Sequence, residues 1–240
     1  TRIYVPYYCC DALLHPIEQA SIPIVFYGIN EHLNPVGLPE FPKVGDWLVW
    51  TNYFGILSQR ADSLLHSWEN RVLIDNTHAF FEPDVSKSWS FTSARKYFGV
   101  PDGAYLFSPL GKSDISNFKR FVPDDVSHLV SRYTDNVSRA LSLYRKAESR
   151  FDSSINRISI FSEKLLSSID LKEIKNIRSR NLQILNHELG EYNNFALSNE
   201  ITKHSAFCYP FLPKIKICRE NLAKEKIYVP TLWLDTLDRN

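Results

Sequence analysis

Residues 71–79 read Arg-Val-Leu-Ile-Asp-Asn-Thr-His-Ala, and residues 89–103 read Trp-Ser-Phe-Thr-Ser-Ala-Arg-Lys-Tyr-Phe-Gly-Val-Pro-Asp-Gly. The first stretch is a short, continuous apolar run, Val72-Leu-Ile74, that stops on Asp75. Such a run predicts a strand covered on both faces, as in a parallel sheet packed between helices. The second stretch predicts another strand that ends near Ser93 and is followed closely by Lys96. A carboxylate at one strand end and a lysine just beyond another fix the type of fold to look for on either side.

Upstream, β-rich runs at residues 2–5, 24–27 and 47–50 alternate with an amphipathic stretch at 11–20, a Pro/Gly-punctuated loop at 34–45 and a helical pattern near 61–68. Residues 104–107 close the series. Strands alternating with helices predict an α/β domain with a largely parallel sheet. Ligands of such sheets bind at the carboxyl ends of the strands, so loops starting at Pro6, Asn52, Asp75 and Ser93 should converge on one edge. Beyond about residue 124 apolar positions recur at helical spacing. Leu141, Tyr144, Leu165, Leu166 and Ile169 fit buried faces, and Leu182, Leu185 and Leu189 form a stripe that Gly190 can end. Strand-like pieces at 206–209 and 226–229, with a helical pattern near 219–223 between them, suggest a smaller α+β unit. The expected division is a large cofactor-binding domain at 1–124, a helical connection at 125–170 and a partial small domain at 171–240.

Composition removes several classes. Hydrophobic residues make up 44% of the 240, enough for a substantial core, which excludes disordered and fibrous chains. Lys and Arg number 28 against 27 Asp and Glu, so the chain as a whole is not a polyanion binder, and no nucleic-acid partner is expected. Apolar runs are only a few residues long, far short of a membrane span, and residues 1–16 lack the apolar core of an export signal. The four cysteines, Cys9, Cys10, Cys208 and Cys218, include no CxxC pair and suggest neither a metal site nor a disulfide framework; a reduced, cytoplasmic location fits them best. Cys9 and Cys10 read as buried apolar thiols rather than nucleophiles. The charged stretch 172–180 reads as a solvated helix face.

Asp75 and Lys96 suit pyridoxal phosphate. A lysine amine forms a Schiff base with the aldehyde, and a buried carboxylate keeps the pyridine nitrogen protonated so that the ring works as an electron sink. Ser93, three residues before the lysine, can offer its hydroxyl to the cofactor phosphate.

These segments resemble the DegT/DnrJ/StrS sugar aminotransferases, which have the fold type I pyridoxal-phosphate architecture. Asp75-Asn-Thr-His-Ala79 is similar to their Asp-x-x-Gln/His-Ala segment. Lys96-Tyr-Phe-Gly-Val-Pro-Asp-Gly-Ala104 keeps the register of their Lys-x-x-x-x-Gly-Glu-Gly-Gly run. Asn52-Tyr-Phe-Gly55 with Ala61-Asp62 resembles their His-x-Phe/Tyr-Gly segment, and Val5-Pro6 resembles their first turn. Ile177-Arg-Ser-Arg-Asn181 resembles the Arg-x-x-Asn helix of their small domain. The similarity runs in order along most of the chain.

The resemblance implies that Lys96 is the Schiff-base lysine and proton shuttle, and that Asp75 binds the pyridine nitrogen. It implies that His78 replaces the usual glutamine at the phenolic oxygen, which Asn52 can also reach, and that Ser93 joins the phosphate cup. Cys10 lies where an aromatic residue often stacks on the ring, which leaves stacking to a neighbour such as Tyr8. Arg95 replaces a common threonine, and Asp102 and Ala104 soften the Glu-Gly-Gly run. The family has elements before the first strand and after residue 233. With no methionine in the chain, this sequence therefore reads as the interior of a longer protein.

The expected activity is transfer of an amino group from glutamate to a keto-sugar nucleotide in surface polysaccharide or amino-sugar biosynthesis, by a homodimer. Two alternatives stay open: an inactive binding module of the same fold, and a pyridoxal-phosphate enzyme acting on an amino acid.

Overall fold

The computed structural model describes residues 1–57, 66–69, 71–81, 88–134, 136–150, 154–195, 197, 204–229 and 232–239. One seven-stranded sheet organises them. Its strands are β1 (Ile3–Pro6), β2 (Ile24–Ile29), β3 (Pro35–Val36), β4 (Trp47–Thr51), β5 (Val72–Asp75), β6 (Trp89–Ser93) and β7 (Ala104–Phe107), in the spatial order β3-β2-β1-β4-β5-β6-β7. β2, β1, β4, β5 and β6 run parallel. The edges β3 and β7 are antiparallel to their neighbours. β3 falls in a segment whose sequence predicts only loop; the Asn30 side chain folds it back by accepting the backbone N–H groups of His32 and Asn34. The connection 94–103 is too short for a crossover helix, so β7 has to return antiparallel.

Both faces of the central strands are covered, as the apolar run at 72–74 predicts. Val5, Val49 and Leu73 pack with Leu14 and Ile17 of α1 (Asp11–Gln19). Leu48, Trp50, Val72 and Ile74 face the other way, onto Trp68, Ala206 and Leu182. Side chains alternate along a strand, so Asp75 shares the α1 face with Leu73, while its register partner on β4 is Thr51. The chain reverses its direction of progress across the sheet between β1 and β4, and the crevice at such a switch lies beside the ends of β1, β4 and β5.

The second half is helical: α2 (Ser127–Tyr133), α3 (Val137–Glu148), α4 (Ile160–Ser167), α5 (Leu171–Leu189), α6 (Arg219–Lys224) and α7 (Asp235–Asp238). Ser159 and Asp170 cap α4 and α5 by accepting the N–H groups of Ser162 and Glu173. α5 ends at Leu189 before Gly190, although the glycine stays right-handed and the chain runs on into a short 3-10 turn. Among the described residues no helix is long and apolar enough to cross a membrane.

Several expectations need correction. Of the leucine stripe on α5, only Leu182 is buried; Leu185 is 40% exposed, as is Leu141 on α3 at 47%. Neither strand expected in the last seventy residues forms. Residues 206–209 dock through one backbone bond, Phe207 N–H to Phe54 O at 2.8 Å, not through a ladder. Residues 226–229 follow α6 through a turn with Lys226 at φ 61°, and Ile227, Tyr228 and Val229 are at least half exposed, with no strand beside them among the described residues. β-branched and aromatic content marks a surface that fits a sheet, and without a neighbouring strand it does not make one. The helical pattern near 61–68 and the Ala61-Asp62 pair lie mainly outside the described residues; His66 and Ser67 are helical.

Gly55 ties this scaffold to the loop after β5. It sits at φ +74°, and a Cβ there would lie 2.0 Å from the carbonyl oxygen of His78. Gly55→Ala should therefore lower stability by on the order of 3 kcal/mol, combining left-handed strain with a backbone clash. Gly37 (φ +80°) has nothing within 4 Å of such a Cβ; Gly37→Ala should cost only about 1 kcal/mol of backbone strain. Paired urea melts that give equal losses would contradict the clash.

Candidate active site

Asp75 ends β5 between two parallel neighbours, so its backbone has little freedom. Its carbonyl accepts the Asn52 N–H at 3.0 Å, and Asn76 N–H donates to Phe91 O at 2.9 Å. The carboxylate is buried, and its Oδ1 accepts the Thr77 N–H at 2.9 Å. Burial pushes this carboxyl above the ordinary aspartate range, against the pull of the Thr77 hydrogen bonds and the more distant Lys96 charge. No cation among the described residues forms an ion pair with it. Beside it, Thr51 Oγ1 and Asn76 Nδ2 are buried without hydrogen-bond partners among the described residues.

Lys96 ends a 3-10 turn, Ala94–Lys96, anchored by the Ala94 N–H to Gly103 O bond at 3.0 Å. Its Nζ lies 3.0 Å from His78 Nε2 and 3.3 Å from Thr77 Oγ1. Tautomer logic makes this contact informative. His78 Nδ1 accepts the Phe54 N–H at 3.3 Å, so the neutral ring carries its proton on Nε2. An Nε2–H can bond to Nζ only if the amine offers a lone pair. Both shifts agree with that arrangement. Burial, then the nearby Lys96 charge, pushes His78 down to about 3, and burial lowers Lys96 despite Asp75 and Cys10. The site thus holds a neutral imidazole against a lysine whose ammonium form burial disfavours.

His78 itself is enclosed. The Phe207 ring stacks on it at 4.4 Å and 9°, and Trp233 lies at 5.5 Å and 7°. Its carbonyl accepts the Tyr97 hydroxyl. Arg178, within the stretch expected to be a solvated helix face, instead turns inward. Its guanidinium lies 4.5 Å from the Tyr97 ring centre and donates to Phe207 O at 3.3 Å, which holds Phe207 over the site. Tyr8 packs against Tyr53 and Trp233 in the same cluster. Burial raises the Cys9 thiol to about 12 and raises Cys10 as well, so neither suits a nucleophile.

The structure therefore brings Asp75, His78 and Lys96 together at the carboxyl edge of the sheet, with Thr77 as a polar partner that the sequence reading overlooked. Thr77 was signalled only by its place between Asp75 and His78. Asn52 lies next to them, but its carboxamide is occupied: Nδ2 donates to Asn76 Oδ1 at 3.1 Å, and Oδ1 accepts the Leu57 N–H at 2.9 Å. Ser93 ends β6 and lines a separate cavity; no hydrogen bond among the described residues joins it to the other three. Its phosphate role rests on its spacing from Lys96 and on the resemblance.

Pyridoxal phosphate fits this donor set. A buried carboxylate with no ion pair among the described residues is the partner a pyridinium nitrogen needs, and a lysine that burial makes easier to deprotonate is the partner an aldehyde needs. The two orphaned polar atoms beside Asp75 mark polar contacts that the protein leaves unmade.

The fold sets the class as α/β: a mostly parallel seven-stranded sheet between helical layers. Among solved structures, the sugar aminotransferase CalS13 of Micromonospora echinospora aligns with a TM-score of 0.51 at 12% identity, over 89% of this chain and 61% of its own. A candidate aminotransferase of Burkholderia pseudomallei aligns at a TM-score of 0.36 and 16% identity, over 79% of this chain and 56% of that one. The chain thus spans about three fifths of the length of these proteins. At such identities the likeness concerns the fold. No protein-family model and no curated protein sequence matches the chain.

The depressed His78 makes a pH prediction. Between about 3 and 6.5 the unfolded chain binds a proton that native His78 refuses, so this residue's contribution is intact above 6.5 and is lost as pH falls toward 3. By pH 3 the loss reaches on the order of 4 kcal/mol. His78→Gln should flatten the stability profile across that window in denaturant titrations. Parallel profiles for the two proteins would show that His78 titrates normally.

Proposed function

We propose that this chain carries the catalytic centre of a pyridoxal-phosphate-dependent aminotransferase. The supporting observation is the pairing of a lysine amine, hydrogen-bonded by a neutral histidine, with a buried carboxylate that has no cation of its own. When bound, pyridoxal phosphate supplies an aldehyde carbon that primary amines attack and a protonated ring that takes up the electrons released as a C–H bond breaks. Asp75 would hold the ring nitrogen and its proton. Lys96 Nζ would hold the cofactor and, once displaced by an amino substrate, carry a proton from one carbon to the next. His78 Nε2 and Thr77 Oγ1 steer that amine, and the Phe207 and Trp233 rings keep water from it. Asn52 and Ser93 enter this assignment as cofactor-binding residues through the family resemblance.

By the same resemblance the amino donor is glutamate and the acceptor a keto-sugar nucleotide. The reaction would serve amino-sugar or surface polysaccharide synthesis in the cytoplasm, in a homodimer whose partner helps close the cofactor pocket. The large cofactor-binding unit would be residues 1–124, joined through 125–170 to a partial small unit at 171–240.

Incubating the full protein with pyridoxal phosphate, reducing with borohydride and mapping the modified peptide tests the core of this reading. A pyridoxyl group on Lys96, absent from Lys96→Ala, is expected. Label scattered over exposed lysines, or identical labelling of the variant, would count against it. Asp75→Asn should still fold but lose about 100-fold or more in amino transfer from glutamate, the usual scale for one charge-stabilising group; full activity would remove Asp75 from the centre.

A further inference from the structure

Residues 232–239 lie against the Asp75–Lys96 centre and are held at their two ends. Leu234 and Leu237, in the middle, are exposed, so that part of the segment contributes little burial. At one end Trp233 belongs to the aromatic cluster of the centre. Its ring is parallel to His78 and edge-on to Tyr8 at 4.5 Å and Tyr53 at 5.7 Å. Its backbone sits at φ 53°, a left-handed conformation that a tryptophan adopts only where its surroundings impose it.

At the other end the hold is polar. The Arg239 side chain is 9% exposed and pairs with Asp11. Nη2 donates to Asp11 Oδ1 at 2.6 Å and to Cys9 O at 3.0 Å, and Nη1 donates to Tyr7 O at 2.5 Å. The guanidinium also lies 5.6 Å from the Tyr7 ring centre and 5.5 Å from that of Phe26. The Tyr7 hydroxyl returns a hydrogen bond to the Arg239 carbonyl. A planar fork that reaches three acceptors on one loop fixes orientation as well as distance, which a lysine cannot do. The loop it grips, residues 7–11, walls the centre. Tyr8 stacks on Tyr53, and Cys10 is close enough to Lys96 for their charges to interact. One guanidinium thus ties a wall of the centre to its roof.

We propose that Arg239 is a positioning residue for the Lys96 centre: by locking the Trp233 segment onto the loop after β1, it keeps water from the Lys96 amine and the His78 ring. This rests on the reading of Lys96 as the reacting amine. Arg239 bonds to neither Lys96 nor His78 and acts through Trp233. Burial disfavours the ammonium form of Lys96, and water admitted under a loosened roof would restore it, so the amine would keep its proton to higher pH. The other groups that bear on Nζ are Asp75, Cys10, Arg95 and the His78 imidazole, and substitution of Arg239 removes none of them.

Trace acetylation of the cofactor-free full chain from neutral to alkaline pH, read by peptide mass spectrometry, follows this amine directly. The midpoint of Lys96 labelling should move up in Arg239→Gln, while the profile of exposed Lys112 stays in place. Asp11→Asn, which breaks the same ion pair from the other side, should move it in the same direction. Hydroxyl-radical footprinting of the same proteins should show Trp233 oxidised several-fold faster than in the wild type, with buried Trp50 unchanged. A change in only one of the two readings, or in neither, would overturn the proposal. Exposed Trp233 with an unmoved Lys96 profile would leave Arg239 as an anchor of the chain alone. Faster oxidation that includes Trp50 in both variants would also overturn it, by making the ion pair a support of the whole fold. Since no cofactor is present, a Lys96 profile that moves while Lys96 takes up no pyridoxyl group would sink the catalytic assignment and not the lock.

Discussion

A buried carboxylate at the end of β5 is the constraint around which the structure is arranged. Asp75 lies on the α1 face of the sheet, flanked by parallel strands that fix its backbone, and the loop beyond it is tied to the loops after β4 and β6. Taking an ionised carboxylate out of water without a cation is costly, and the two contacts from Thr77 offset only part of that. A protein retains such an arrangement where something else completes it. Lys96, which contacts His78 and whose ammonium form burial disfavours, is the matching half: a carboxylate that needs a positive partner and a nucleophile that needs an electrophile.

The surroundings make both states possible. Phe207 and Trp233 lie parallel to the His78 ring and keep the imidazole in its uncharged form. Arg178 reaches from α5 to hold the Phe207 backbone in place. The helical second half therefore acts on the site through aromatic cover rather than through charged groups. Gly55, at the tip of the turn after β4, has no side chain because the His78 carbonyl occupies that space. The position of the imidazole depends on a glycine more than twenty residues away.

Local signals were legible where the chemistry was local. Val72-Leu-Ile74 ending on Asp75, and Lys96 just beyond the next strand, are short-range patterns, and the sheet carries them to one edge. The Phe207 and Trp233 cover was not legible, since nothing in a single sequence says that residues more than a hundred positions downstream return to His78. Arg178 looked like one more charge on a polar helix; its inward turn depends on a carbonyl and a tyrosine ring brought there by the fold. The error at residues 226–229 has the same origin. Ile-Tyr-Val has the composition of a strand, and only the absence of a neighbour shows that it is not one. Ser93 was placed by its spacing from Lys96 and by the resemblance, and it lines a cavity that includes none of Asp75, His78 and Lys96.

Charge at the ring nitrogen is the most direct reading of the Asp75–Lys96 centre. Full-length protein loaded with 15N-labelled pyridoxal phosphate can be observed by 15N NMR across the neutral pH range. A pyridinium-like shift that stays constant with pH, and that moves to the free-pyridine position in Asp75→Asn, is the predicted result. A wild-type shift that is already pyridine-like, or one that Asp75→Asn leaves unchanged, would contradict the account.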